Sequence, residues 1–159
     1  MKIESEWVRP ANRKDAARVQ LLLGTEGLDP EFRAAEFVVA EIDGRIVGCV
    51  RARPLPAGGT ELASLVVEKS HRGRGLARSL VSMALLGAQH PVFALTLVPD
   101  FAGRAGFEPI PASDLPQSLQ AKVSACDAGG RAWLPMRLRR TAPLDPAPDA
   151  EGPPSFLDL

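Results

Sequence analysis

Between residues 72 and 77 the chain reads Arg-Gly-Arg-Gly-Leu-Ala. Two arginines and two glycines stand there between an apolar run and an amphipathic one. Before them, Leu62, Leu65, Val66 and Val67 supply the bulk of a buried strand. After them, Leu76, Leu80, Met83 and Ala84 are spaced to share one face of a helix. A strand that passes through a glycine turn into a helix makes an anion site. The first helical turn has N–H groups without intrahelical partners and the positive end of the dipole. Glycine lets the backbone approach a phosphate, and arginine adds charge-assisted hydrogen bonds. The spacing excludes two common phosphate loops. A P-loop needs four residues between its glycines and then Lys-Ser/Thr. The dinucleotide fingerprint needs Gly or Ala where this chain has Arg78. The pattern that fits is Arg/Gln-x-x-Gly-x-Gly/Ala, met by Arg72, Gly75 and Ala77.

Composition narrows the partners. A chain of 159 residues, 45% hydrophobic, makes one domain with some excess. The formal net charge is zero, so no global field favours nucleic acid or an anionic membrane. No apolar run approaches the ~20 residues of a membrane span. The start, MKIESEWVRP, lacks the apolar region of a signal peptide. Cys49 and Cys126 are isolated, which predicts neither a disulfide framework nor a metal cluster. A reducing cytoplasm is the expected compartment, with no metal and no nucleic-acid or membrane partner. Tyrosine is absent altogether.

The elements that must position the loop follow in order. Trp7, Val8 and Arg9 start a strand that Pro10 stops. Residues 12–23 are helical, with Asn12 as N-cap. Residues 24–30 are loop. Residues 36–42 and 45–53 are strands joined by the Asp43-Gly44 hairpin turn. Gly48 marks a bulge or a close backbone approach, and Cys49 beside it is a small core residue. Residues 54–59 turn the chain into the strand before the loop. Gly87 and Pro91 end the helix after it. Residues 92–98 form a second buried strand, parallel to the first. Residues 99–105 form a short helix with Pro99 at its start. Residues 117–126 form another, broken by Gly129-Gly130. Residues 132–138 are the last strand, where Pro135 predicts an edge position or a bulge. From residue 140 five prolines and few bulky apolar residues predict a disordered tail, so the domain is expected over 1–139 and the tail over 140–159.

The loop, its flanking elements and this order resemble the GNAT N-acetyltransferase superfamily over about residues 7–138. Local strings agree: Glu61 to Val67 leading to Arg72-Gly73, then Phe93-Ala94-Leu95-Thr96 and Asp100 to Phe107. The pattern is most similar to the acetyltransferase domain of N-acetylglutamate synthase and to arsenic-resistance-associated N-acetyltransferases. The resemblance implies an α/β fold of the GNAT type. Its mixed sheet is mostly antiparallel with a central parallel pair, and helices cover both faces.

The resemblance also implies a reaction: acetyl transfer from acetyl-CoA to the amine of a small molecule, an amino acid or analogue. Glu61, eleven residues before Arg72, stands where many members carry a general base; Glu68 is the alternative. Backbone groups of Leu65, Val66 and Val67 would meet the pantetheine arm. Arg72, Gly73, Arg74, Gly75, Leu76 and Ala77 would hold the pyrophosphate, with Phe101 and Arg104 completing the CoA contacts. An acceptor carboxylate calls for arginine, and Arg51, Arg53 and Arg33 are the candidates, with Thr96 beside them. The family often places a tyrosine, the acid for the departing thiolate, five residues before the phenylalanine of Gly-Phe. Here that position is Ala102. The departure leaves a second expectation open: an acyl-CoA-binding sensor or interaction module with weak or no catalysis. The state of assembly is expected to be a monomer or a homodimer.

Overall fold

A computed structural model describes residues 6–128 and 133–139. Seven strands form one sheet: β1 (Glu6–Pro10), β2 (Phe37–Ile42), β3 (Arg45–Pro54), β4 (Thr60–Val67), β5 (Val92–Thr96), β6 (Phe107–Pro109) and β7 (Leu134–Leu138). Among the described residues four α-helices accompany them: α1 (Ala16–Thr25), α2 (Leu76–Leu86), α3 (Pro99–Arg104) and α4 (Gln117–Ala128). The sheet order is β1-β2-β3-β4-β5-β7-β6, and among the described residues only β4 and β5 pair in parallel.

Local chemistry accounts for most of the boundaries. Asn12 caps the turn before α1, accepting from Lys14 N–H, while the Asp15 carboxylate returns to Asn12 N–H at 2.8 Å. Arg9 of β1 grips the same carboxylate and holds it below the usual carboxylate range. Asp43 and Gly44, both at positive φ, make the β2–β3 hairpin. Gly48 fulfils both of its expected roles. The β2–β3 register slips beside it, and a Cβ there would lie 3.1 Å from Leu80 Cδ1 of α2. Gly59, at φ 91, admits no side chain, because a Cβ would stand 2.5 Å from the Pro91 carbonyl oxygen. That contact, with Thr60 N–H on the same oxygen at 2.9 Å, fastens the start of β4 to the start of β5.

Three apolar clusters cover the sheet. Leu76, Leu80, Val81 and Ala84 of α2 pack with Phe101 and Ala102 of α3 over Val50, Leu62 and Ala94. On the opposite face, Val19, Leu22 and Leu23 of α1 meet Phe37, Val39 and Cys49. Leu119 and Val123 of α4 meet Phe93 and Leu95.

Two expectations need correction, and one strand has no counterpart in the sequence reading. Met83 lies half-buried at the rim of α2, and Ala77 and Val81 complete its buried face instead. Residues 107–109 form a strand, β6, too short for a period-two pattern to reveal. That strand puts β7 inside the sheet, so Pro135 is not on an edge. Its carbonyl accepts Ile110 N–H at 3.1 Å, just past the end of β6. A strand residue's N–H and C=O point to the same side of an antiparallel strand. The missing N–H therefore faces the finished end of β6, and the β5 ladder loses nothing. The Gly129-Gly130 break and the 140–159 tail lie outside the described residues.

Candidate active site

The parallel pairing that begins at Thr60/Val92 ends at Leu62/Ala94. Beyond it β4 and β5 part. On its other side β4 carries a bulge: Cys49 faces Val66 and Arg51 faces Ala63, so Ser64 and Leu65 stand opposite Val50 alone. Ser64 sits at φ 54, a strained value for a residue with a side chain. Ala63 and Ser64 are half-exposed at the parting, whereas the Leu65, Val66 and Val67 side chains are buried. The backbone along this stretch is what a ligand lying between the two strands would meet.

The glycine loop continues from the same strand. Gly73 and Gly75 both have φ 79, and a Cβ at either would meet no atom within 4 Å. Gly75 is the N-cap of α2, with no side chain closing the helix end. Leu76 and Ala77 bury their side chains in the core, so they can offer a ligand only their N–H groups. Arg72 is committed to the protein. Its Nε donates to the Val67 carbonyl at 2.8 Å, and its Nη2 lies 3.3 Å from Glu26 Oε1 at the end of α1. Arg74 is exposed. Gly75→Val would place a branched side chain at left-handed φ and in the approach to these amides. If the loop holds the CoA pyrophosphate that the resemblance implies, the result is a tenfold or greater loss of CoA affinity by calorimetry, about the worth of one hydrogen bond to a charged group.

Glu61 lines an open hollow of about 750 Å³. It lies opposite Arg53 and Phe93 on the neighbouring strands, so all three share a face. Its residue is 1% exposed. Oε2 accepts from Lys122 Nζ of α4. Oε1 is buried and has no hydrogen-bond partner among the described residues, with Arg53 Nη1 at 3.6 Å. Glu68 is placed differently, with Arg45 at 2.7 Å and Arg18 at 3.3 Å on its two oxygens.

The three candidate acceptor arginines all line the Glu61 hollow. Arg53 is 30% exposed and Arg33 more so, but Arg51 is 1% exposed and held by Glu36 at 2.7 Å. Thr96 does not join them. It is fully buried, and its hydroxyl accepts Val98 N–H at 2.9 Å, closing the turn into α3. Phe101 is in the core on the opposite face, and Arg104 is exposed on α3. Ala102 is 1% exposed, so α3 brings no hydroxyl to the site. Burial pushes the Cys49 thiol up to about 12, which keeps it protonated and fits its reading as a core residue. Among the described residues no group of His, Cys, Asp and Glu is arranged to hold a metal.

The profile of the acetyltransferase (GNAT) family matches residues 5–100. The chain belongs to the GNAT family. It is 30% identical over 95 residues to an uncharacterized N-acetyltransferase of Chlorobaculum tepidum, covering 57% of this chain and 61% of that protein. It therefore spans about three fifths of that curated relative. The GNAT fold is shared with N-acetylglutamate synthase of Neisseria gonorrhoeae, solved with coenzyme A and N-acetyl-glutamate. The TM-score is 0.68 at 22% identity, over 87% of this chain and 36% of the synthase. It is shared equally with Rv2747 of Mycobacterium tuberculosis, solved with CoA, at a TM-score of 0.71 and 22% identity over 83% and 98% of the two chains.

Within this GNAT domain, sequence reasoning overlooked Lys122, Glu36 and Ser64. Lys122 had a signal. It stands three residues after Leu119 and one before Val123, so it shares the buried face of α4. Glu36 and Ser64 had none, since an ion pair across fifteen residues and a bulge both depend on strand register.

Proposed function

We propose that the protein is an N-acetyltransferase that moves the acetyl group of acetyl-CoA to the amine of a small molecule, an amino acid or an analogue of one. The observation that carries this reading is the buried Glu61 carboxylate. One of its oxygens has no hydrogen-bond partner among the described residues, and the carboxylate stands in a charge-lined hollow just before β4 parts from β5. An α-amino group titrates near ~8 and must lose a proton before it attacks a thioester carbonyl. Glu61 takes that proton. The amine nitrogen bonds to the carbonyl carbon, the C–S bond breaks, the thiolate leaves with the electron pair, and the surplus proton left on nitrogen passes to the thiolate or to solvent. A thiolate with a pKa near ~8.5 departs without an obligatory acid, which accommodates Ala102.

The amino-acid preference rests on charge. Arg53 and Arg33 offer cations to a carboxylate, and Glu61 offers an acceptor to the amine, within the same hollow. N-acetylglutamate synthase, whose fold this chain shares, was solved with an acetylated amino acid.

Release of free thiol from acetyl-CoA across a panel of amino acids tests the proposal. Release that depends on at least one amino acid is expected. The sensor reading has one observation in its favour, the buried alanine at position 102. Thermal stabilisation by CoA with no turnover on any amine would establish that reading instead.

A further inference from the structure

We propose that Lys122 is an acetylation site served by the protein's own active centre: with the hollow empty of acceptor, its ε-amine takes one acetyl group from acetyl-CoA. This rests on the acetyl-CoA reading above. The Lys122 nitrogen is hydrogen-bonded to Glu61 Oε2, the position an acceptor amine must reach to hand its proton to that carboxylate. The Glu61 side chain is 1% exposed, but that of Lys122 is 39% exposed, so the ammonium is reached from the hollow and has room to move on its four-carbon stem. The parting of β4 and β5 begins two residues beyond Glu61.

Residue choice points the same way. The other cations lining the hollow are Arg33, Arg51 and Arg53. Arginine stays protonated in proteins and is no nucleophile, whereas lysine loses its proton and acylates. Among the described residues the one lysine lining the hollow is set on the candidate base.

In the step, one ammonium proton passes to Glu61. The freed lone pair forms an N–C bond to the thioester carbon, and the C–S bond breaks. The thiolate takes the remaining surplus proton from nitrogen, and Glu61 releases its own to solvent. The products are Nε-acetyl-Lys122, free CoA and one proton. Acetylation removes the charge that pairs with Glu61 Oε2, so the modified chain presents its carboxylate unclamped.

The experiment is incubation of the full chain with acetyl-CoA and no amine, followed by intact and peptide mass spectrometry over time. Lys14 and Lys69, both exposed, are internal controls for spontaneous acetylation, and Lys69 adjoins the glycine loop. Lys122 is expected to gain its acetyl group about a hundredfold faster than either, within the reach of a positioned base. Excess CoA should suppress only the Lys122 product, Glu61→Gln should bring Lys122 down to the control rate, and Lys122→Arg should abolish the fast phase. Acetylation of Lys122 no faster than the controls, in a preparation that releases thiol from acetyl-CoA with an amino acid, overturns this inference alone. CoA binding by calorimetry with no thiol release on any amine overturns the transferase reading and this inference together. Absence of CoA binding overturns the acetyl-CoA reading and this inference with it.

Discussion

Glu61→Gln is expected to lower turnover about a thousandfold, within the range for a positioned general base. The substitution isolates the base because little else changes. Glutamine matches glutamate in size, so the 1% exposed site is neither emptied nor overfilled. Its amide oxygen still accepts from Lys122, whose side chain is 39% exposed and can solvate its charge. The loop that would carry the pyrophosphate begins beyond the far end of β4. Calorimetric affinity for CoA should therefore be unchanged while kcat, measured by thiol release at saturating acetyl-CoA, collapses. A variant with near wild-type kcat would move proton removal from Glu61 to bulk water, leaving the carboxylate an electrostatic partner of Lys122 and Arg53.

Short-range signals made the loop, the hairpin and the strand–helix–strand frame legible. Glycine at positive φ, Asp-Gly between apolar runs and the spacing of Leu76, Leu80 and Ala84 each fix their own neighbourhood. Glu61 is singled out by the family resemblance alone, at a distance from Arg72 that is counted along one chain segment. The lining of the Glu61 hollow is another matter. Lys122 reaches Glu61 across 61 residues, and Arg51 reaches Glu36 only because the β2–β3 register sets it there. Arg51 and Arg53 do share a face, as alternation requires, yet one is sealed and the other open. Alternation gives the side of a sheet; depth depends on what packs above it. Thr96 failed for the same reason, since its hydroxyl is consumed by a turn two residues on. The β6 strand was hidden because three residues cannot show a period.

Arg51→Ala is expected to cost about 3–5 kcal/mol of stability, the range for removing one partner of a buried ion pair. Arg51 donates from Nε to Glu36 Oε2 at 2.8 Å, and its guanidinium lies 5.4 Å from the centroid of the Phe37 ring. Alanine would leave the Glu36 carboxylate, 14% exposed, without its cation and would open a void over Phe37. In a domain of this size the loss corresponds to a fall in Tm of roughly 10 °C. The double variant Arg51→Ala/Glu36→Ala should recover part of that loss, because the orphaned charge goes with its partner. Arg51→Lys should fall between, since one ammonium cannot keep both the fork on Glu36 and the stack on Phe37. An acceptor-binding arginine predicts the opposite pattern: a KM for the amine raised by an order of magnitude or more with Tm held. Arg53→Ala should behave in that second way, because Arg53 is 30% exposed and its nearest carboxylate oxygens stand at 3.6 and 3.8 Å, leaving it able to turn to an incoming carboxylate. The two arginines, two residues apart on one strand, thus separate into one that holds the wall of the hollow and one that faces its contents.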